Sequence, residues 1–293
     1  MKEEPNLFSE KETQVILQYK EAGLTQSVID FFQQLIYDFY RKYARDLPWR
    51  RTDNPYHILI SEIMLQQTQV ERVVKKYNQF IRIFPDFLSL SEASLQYILK
   101  AWQGLGYNRR ALALKNTSQI VVSKYDGNLP ADAEQLVTLP GIGKTTASEI
   151  VAFAYNQPAI FIETNIRTLF IYFFYQNQNN IKDKDILPFI EKTLDRSNPR
   201  EWYYALMDYG AMLKKRNKNI AKKSAHYVKQ KAFTGSNRHI RGMIIRALIN
   251  DGNMTENKIM IKINVNPSRV KENLAQLEKE GLIKKKGETY AIA

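Results

Sequence analysis

The chain has 293 residues, a formal net charge of +13 from 43 Lys and Arg against 30 Asp and Glu, and no cysteine. Its length allows a sizeable core and more than one domain, and 44% hydrophobic content excludes wholesale disorder. Disulfides, thiolate nucleophiles and Cys-ligated metals are excluded, three scattered histidines argue against a His-based metal site, and a pI near 9.6 points to a polyanion, most simply nucleic acid.

The opening Met1-Lys2-Glu3-Glu4-Pro5 lacks the apolar run of a signal peptide, and no stretch reaches the roughly 20 apolar residues of a membrane helix. A soluble, cytoplasmic protein is expected. Residues 1–25 read as a polar extension with one short helix. From Ser27 to Tyr43, Ile29, Phe32, Leu35, Ile36, Phe39 and Tyr40 recur at helical spacing. Pro48 and Pro55 bracket a loop holding Trp49-Arg50-Arg51, and Tyr56 to Val70 reads as one helix with an apolar face. Further helices are predicted near 73–83, 93–101, 109–124, 132–138, 144–155 and 165–175, with Gly104-Leu105-Gly106 and Asp126-Gly127-Asn128 as breaks. Little strand alternation occurs in the first two hundred residues, so the fold class is mainly α.

The run Lys214-Lys215-Arg216-Asn217-Lys218, followed by Lys222-Lys223, fits either a solvated linker or a segment along a phosphate backbone. Residues 236–293 then read as three helices and a β-hairpin, with Lys284-Lys285-Lys286-Gly287 as its turn. That is a winged-helix-like pattern, whose third helix suits a major groove and whose lysine-tipped wing suits phosphates, with a dimerisation or packing module as the structural alternative.

Three places can carry chemistry. Leu139-Pro140-Gly141-Ile142-Gly143 forms a glycine hairpin before a helix opened by Lys144, Thr145 and Thr146. Its amides suit a phosphate, and a plain tight turn is the structural alternative. Glu62 lies between Ile60 and Ile63 on an apolar helix, as a functional acid or as a partly exposed acid at a helix start. Glu163 precedes a helix, as a functional acid, an N-cap or a partner of Arg167.

Several blocks together resemble the helix-hairpin-helix DNA glycosylases, most closely the MutY-type adenine glycosylases. They are Leu47-Pro48-Trp49-Arg50, Ser61-Glu62-Ile63-Met64-Leu65-Gln66-Gln67-Thr68-Gln69-Val70, Trp102-Gln103-Gly104-Leu105-Gly106-Tyr107, the hairpin, and Met207-Asp208-Tyr209-Gly210-Ala211-Met212. The resemblance runs from about Ser27 to Leu213. It implies a glycosylase body over 26–213, two helical lobes with the active site between them, then a basic linker over 214–235. The implied activity is base excision repair by a monofunctional glycosylase, acting on a flipped mispaired base, most simply adenine opposite 8-oxoguanine or guanine. Alternatives are another lesion, an abasic-site enzyme, or a non-catalytic mismatch-binding protein.

By resemblance, Glu62 protonates the leaving base and Glu163 stabilises the sugar cation. Trp49, Arg50, Tyr107, Thr145 and Tyr204 belong to the base pocket, and Leu65, Gln66, Gln67, Gly141, Gly143, Lys144 and Thr146 contact DNA. Thr145, where bifunctional relatives carry the Schiff-base lysine, implies a monofunctional enzyme. The sequence departs from the family in four ways. Glu163 stands where aspartate is usual. Tyr204 stands where Glu or Gln often reads adenine. A winged-helix pattern stands where a Nudix-like domain is typical. The four cysteines of an iron–sulfur cluster are replaced by a stretch that begins Lys214-Lys215-Arg216. No cofactor is therefore expected, although the family suggests a monovalent cation at the hairpin. The partner expected is duplex DNA bearing a mismatch or damaged base, bound by a monomer.

Overall fold

The computed structural model describes residues 6–228 and 232–293. They fall into two compact units, 6–47 with 144–228, and 48–143 with 232–293. The first unit opens with α1 (Asn6–Ala22) and α2 (Gln26–Tyr43). The second carries α3 (Pro55–Leu65), α4 (Val70–Ile83), α5 (Phe87–Glu92), α6 (Leu95–Trp102), α7 (Arg109–Tyr125) and α8 (Ala133–Leu136). The chain returns to the first unit for α9 (Lys144–Tyr155), α10 (Thr164–Phe174), α11 (Asp183–Thr193) and α12 (Pro199–Arg216). It ends in the second unit with α13 (Asn237–Asp251), β1 (Met254–Thr255), α14 (Glu256–Ile263), α15 (Pro267–Lys279), β2 (Ile283–Lys286) and β3 (Thr289–Ile292). No helix among the described residues is long and apolar enough to cross a membrane.

In the first unit, Thr25 caps α2 by accepting from Val28 N, and α2 buries Val28, Ile29, Phe32, Leu35, Ile36 and Phe39. Phe32 meets Phe173 and Trp202 edge-on, at 5.2 and 6.0 Å between centroids. α10 crosses α12 at Gly210, where an added Cβ would stand 2.1 Å from Asn165 O. The N-terminal segment differs from its expected single short helix. α1 has 17 residues, buries Val15 and Ile16, and places Glu12 in the core. The Glu12 carboxylate accepts from Tyr209 at 2.6 Å, Tyr172 at 2.8 Å and Arg216 at 2.8 Å, which compensates its burial.

In the second unit, the expected helix over 56–70 breaks after Leu65, and the predicted 93–101 segment belongs to α6 with α5 before it. At the C-terminus, three helices and a sheet of order β1-β3-β2 form the winged-helix pattern. β2 pairs antiparallel with β3 in the register Ile283↔Ile292 and Lys286↔Thr289. The turn is therefore Gly287-Glu288, with Gly287 at φ +57°, and the lysines Lys284–Lys286 lie on the strand rather than in the turn.

Candidate active site

Asn54 caps α3 by accepting from Tyr56 N and His57 N, and Pro55 opens the helix. Ile58, Leu59, Ile60, Ile63 and Met64 are all buried. Glu62 sits among them with only 6% of its surface exposed. It lies in the last turn of α3, not at the helix head expected from the sequence, so the helix dipole does not favour its charge. Ser61 Oγ donates to Ile58 O at 2.8 Å and stands 3.2 Å from Glu62 Oε1. Tyr77 of α4 flanks this acid. Burial, and after it the Glu62 charge, push the Tyr77 phenol well above its ordinary range. Trp49, buried on a 3-10 turn over Pro48–Arg50, meets Tyr77 edge-on at 5.5 Å. Trp49, Tyr77 and Glu62 thus belong to one buried cluster, with the half-buried Arg50 next along the turn.

Arg110 explains why α3 stops. Its guanidinium donates to Ile63 O and Met64 O at 2.8 Å and to Gln66 O at 2.6 Å. Those carbonyls would otherwise accept within a continuing helix. It also donates to Thr68 Oγ1, Leu105 O and Gly106 O, which joins the end of α3 to the Gly104–Tyr107 loop. Burial lowers the Arg110 pKa to about 10. Leu65 and Gln66 are half-buried, and Gln67 is exposed at φ +56°. Gln66 Nε2 donates to Gly141 O at 3.2 Å, so the glutamine turn is tied to the glycine hairpin.

The hairpin itself closes by Ile142 N donating to Leu139 O at 3.2 Å. Gly141 has φ +79°, and a Cβ there would stand 2.8 Å from Ala113 Cβ. Glycine is required on both counts. Thr117 Oγ1 donates to Pro140 O at 2.9 Å. Gly141 and Gly143 are exposed. Tyr107, 38% exposed, adopts φ +48°.

The first unit by itself carries the other residues singled out in the sequence. Lys144 and Thr145 are exposed at the start of α9, whereas Thr146 is buried. Glu163 caps α10, and its Oε1 accepts from Asn165 N and Ile166 N at 2.8 Å each. Desolvation raises its pKa, although part of its surface is open, while the two amides, Lys214 and Arg167 pull the other way. Arg167 is not its ion-pair partner: the guanidinium forms a bidentate pair with Asp183 at 2.6 and 2.8 Å. The approach to Glu163 is fixed by Phe161, whose ring stacks on Tyr203 at 3.9 Å. Tyr204 is buried and stacks on Phe153 of α9 at 4.6 Å.

A buried carboxyl beside aromatic rings can pass a proton to a leaving group. A carboxylate held by backbone amides can face a developing positive charge. Sequence reasoning missed Arg110 and Gly210. Arg110 reads as the second half of an ordinary basic pair, and Gly210 as one member of a motif.

Residues 60–193 match the family described as HhH-GPD superfamily base excision DNA repair protein, and residues 238–284 match winged helix-turn-helix DNA-binding. The adenine DNA glycosylase of Buchnera aphidicola subsp. Baizongia pistaciae is 38% identical over 187 residues, 62% of this chain and 52% of that protein. The chain thus spans about half the length of that relative. The thymine/uracil-DNA glycosylase of Methanothermobacter thermautotrophicus is 30% identical over 185 residues, 62% of this chain and 84% of that protein. A solved thermostable thymine-DNA glycosylase superposes with a TM-score of 0.57 at 29% identity, covering 63% of this chain and 86% of its own. With the hairpin, the capped Glu163 and these matches together, the chain belongs to the HhH-GPD superfamily of base excision DNA repair proteins.

Proposed function

We propose that the protein is a monofunctional DNA glycosylase that removes a mispaired base from duplex DNA, with adenine opposite 8-oxoguanine or guanine as the first substrate. The observation that carries this is Glu62, a buried acid beside the Trp49–Tyr77 ring pair, one turn before a Gln66 tied to the phosphate-type hairpin. Pure duplex binding gives no use to a carboxyl there. A carboxyl that carries its proton can pass it to the departing base. Glu163 then faces the positive sugar and orients the attacking water, leaving an abasic site. The amides of Asn165 and Ile166 hold this carboxylate, which supports a fixed position for it despite one methylene more than aspartate. Thr145 has no amine, so it forms no Schiff base and the strand stays intact. The residues after α12 do not fit an iron–sulfur cluster, because the chain has no cysteine. Ile181 instead pairs with that segment through Lys223 O and Ala225 N.

Thymine or uracil opposite guanine is the second reading. It is favoured by the fuller coverage of the thymine/uracil glycosylase, 84% against 52% for the adenine enzyme, and by Tyr204 where adenine readers carry Glu or Gln. Excess protein incubated with duplexes bearing A opposite 8-oxoguanine, G or C, and T or U opposite G, then treated with hot alkali, separates the two. Release confined to A supports the first reading, and release confined to T or U the second. No release from any duplex defeats both. Borohydride should leave no covalent protein–DNA adduct.

A further inference from the structure

The winged-helix module is docked on the same unit that carries Glu62. Glu280, at the end of α15, pairs with Arg241 of α13 and stands 3.7 Å from Arg109 Nε of α7. α13 also packs on α6. From this interface Arg238, the second residue of α13, donates through Nη1 to the Tyr107 hydroxyl at 2.6 Å. Its guanidinium lies 5.6 Å from the Tyr107 ring centre, and that of Arg110 lies 5.4 Å from the same ring.

Tyr107 has a left-handed backbone, uncommon for an aromatic residue, so its pose depends on such contacts. Arg238 is itself well held. Ser236 caps α13, and Arg269 of α15 donates to Gly235 O and Asn237 Oδ1 at 2.8 Å each. The helix that would read a groove, α15, offers little net charge. Its exposed Lys271 and Lys279 are balanced by Glu272 and Glu278, and its Arg269 is engaged inward. The module therefore directs a cation at the loop of its own neighbour.

We propose that Arg238 is a positioning residue of the DNA-engaging surface. By holding Tyr107 beside Arg110, it sets the shape of the Gly104–Tyr107 loop and, through the Arg110 carbonyl bonds, of the Gln66–Gln67 turn. The winged helix thereby acts on mismatch selectivity without reading bases. This rests on the mismatch-glycosylase reading above.

The test compares full-length wild type, Arg238→Met, Arg238→Lys, Tyr107→Phe and the double variant Arg238→Met/Tyr107→Phe. Affinities for a mismatched and a fully matched duplex are measured, together with single-turnover base release. Arg238→Met should lose about tenfold in the mismatched-to-matched affinity ratio, as for one charge-assisted hydrogen bond. Arg238→Lys should recover most of that ratio, and the double variant should lose little more than Arg238→Met alone. An equal loss on both duplexes would make Arg238 an ordinary phosphate contact and overturn the proposal. So would additive losses in the double variant, or a lower melting temperature with unchanged selectivity. A wild type that selects the mismatch but releases no base sinks the glycosylase reading alone, and the affinity ratios still decide the role of Arg238. A wild type without selectivity overturns both.

Discussion

The two carboxyls of the proposed reaction sit in opposite local fields, and each makes its own prediction. Glu62 is buried in the last turn of a helix, whereas Glu163 receives two amides at the first turn of another. Glu62→Gln should slow single-turnover base release at least about 100-fold, the lower range for losing a general acid. Affinity for the mismatched duplex should change by less than about threefold, well under one hydrogen bond to a charge. Wild-type release by this variant would remove Glu62 from the mechanism. At Glu163 desolvation raises the pKa, so the folded chain holds that proton more tightly than the unfolded chain. Its contribution to stability is then fully present below the ordinary value of 4.5 and is lost as pH rises through the raised one. At neutral pH the ionised group is a net cost to the fold. Glu163→Gln keeps an acceptor for both amides and removes the charge. It should melt above wild type at pH 7, with the gap closing on acidification towards pH 4.5, while base release falls. A variant melting below wild type at pH 7 would mean that the amides, Lys214 and Arg167 outweigh desolvation.

Helix placement is what aims these groups, and the crossing of α10 on α12 is its tightest point. A methyl at Gly210 would meet Asn165 O at 2.1 Å, two residues from Glu163. Neither helix backbone can yield locally, so Gly210→Ala should shift the start of α10 and cost about 1–3 kcal/mol as overpacking. Urea denaturation measures the stability loss, and base release should fall by at least about tenfold through displacement of the cap. A variant with wild-type stability and rate would show that the crossing relaxes freely. Much of this layer was legible in the sequence. The spacing of Ile29, Phe32, Leu35, Ile36, Phe39 and Tyr40 marked α2, and Pro140-Gly141-Ile142-Gly143 marked the hairpin. α11 and α12 were not marked. α11 carries Pro188 inside it, and α12 buries the continuous run Trp202–Leu206, so neither presents a clean apolar stripe. The break after Leu65 was illegible for a different reason. Local propensity favours continuing the helix, and the group that takes its carbonyls, Arg110, lies more than forty residues away in sequence. Glu62 stood out in the sequence as an acid on an apolar helix, but its place in the last turn depended on that distant contact.

At the scale of the whole molecule, charge and recognition separate. An excess of 13 positive charges is spread over surface lysines and arginines, including the exposed Lys214, Lys215, Lys218 and Lys222. Contacts of this kind engage phosphates, which carry no sequence information, and each one made releases counterions. In the proposed reading, discrimination between matched and mismatched duplexes rests instead on groups that are uncharged or internally held: the Gln66–Gln67 turn, the Trp49–Tyr77 pair and Tyr107. The two contributions should therefore respond differently to salt. Raising monovalent salt from 50 to 200 mM should weaken binding to either duplex by about 100-fold, which corresponds to roughly four phosphates at about 0.9 counterions each. The mismatched-to-matched ratio should hold within about threefold over the same range, because a term common to both duplexes cancels. Fluorescence anisotropy across a salt series measures both quantities on the same samples. A ratio that collapses with salt would place selectivity in the basic surface itself, and the glutamine turn would then be a structural link between α3 and the hairpin rather than a reader of the mismatch.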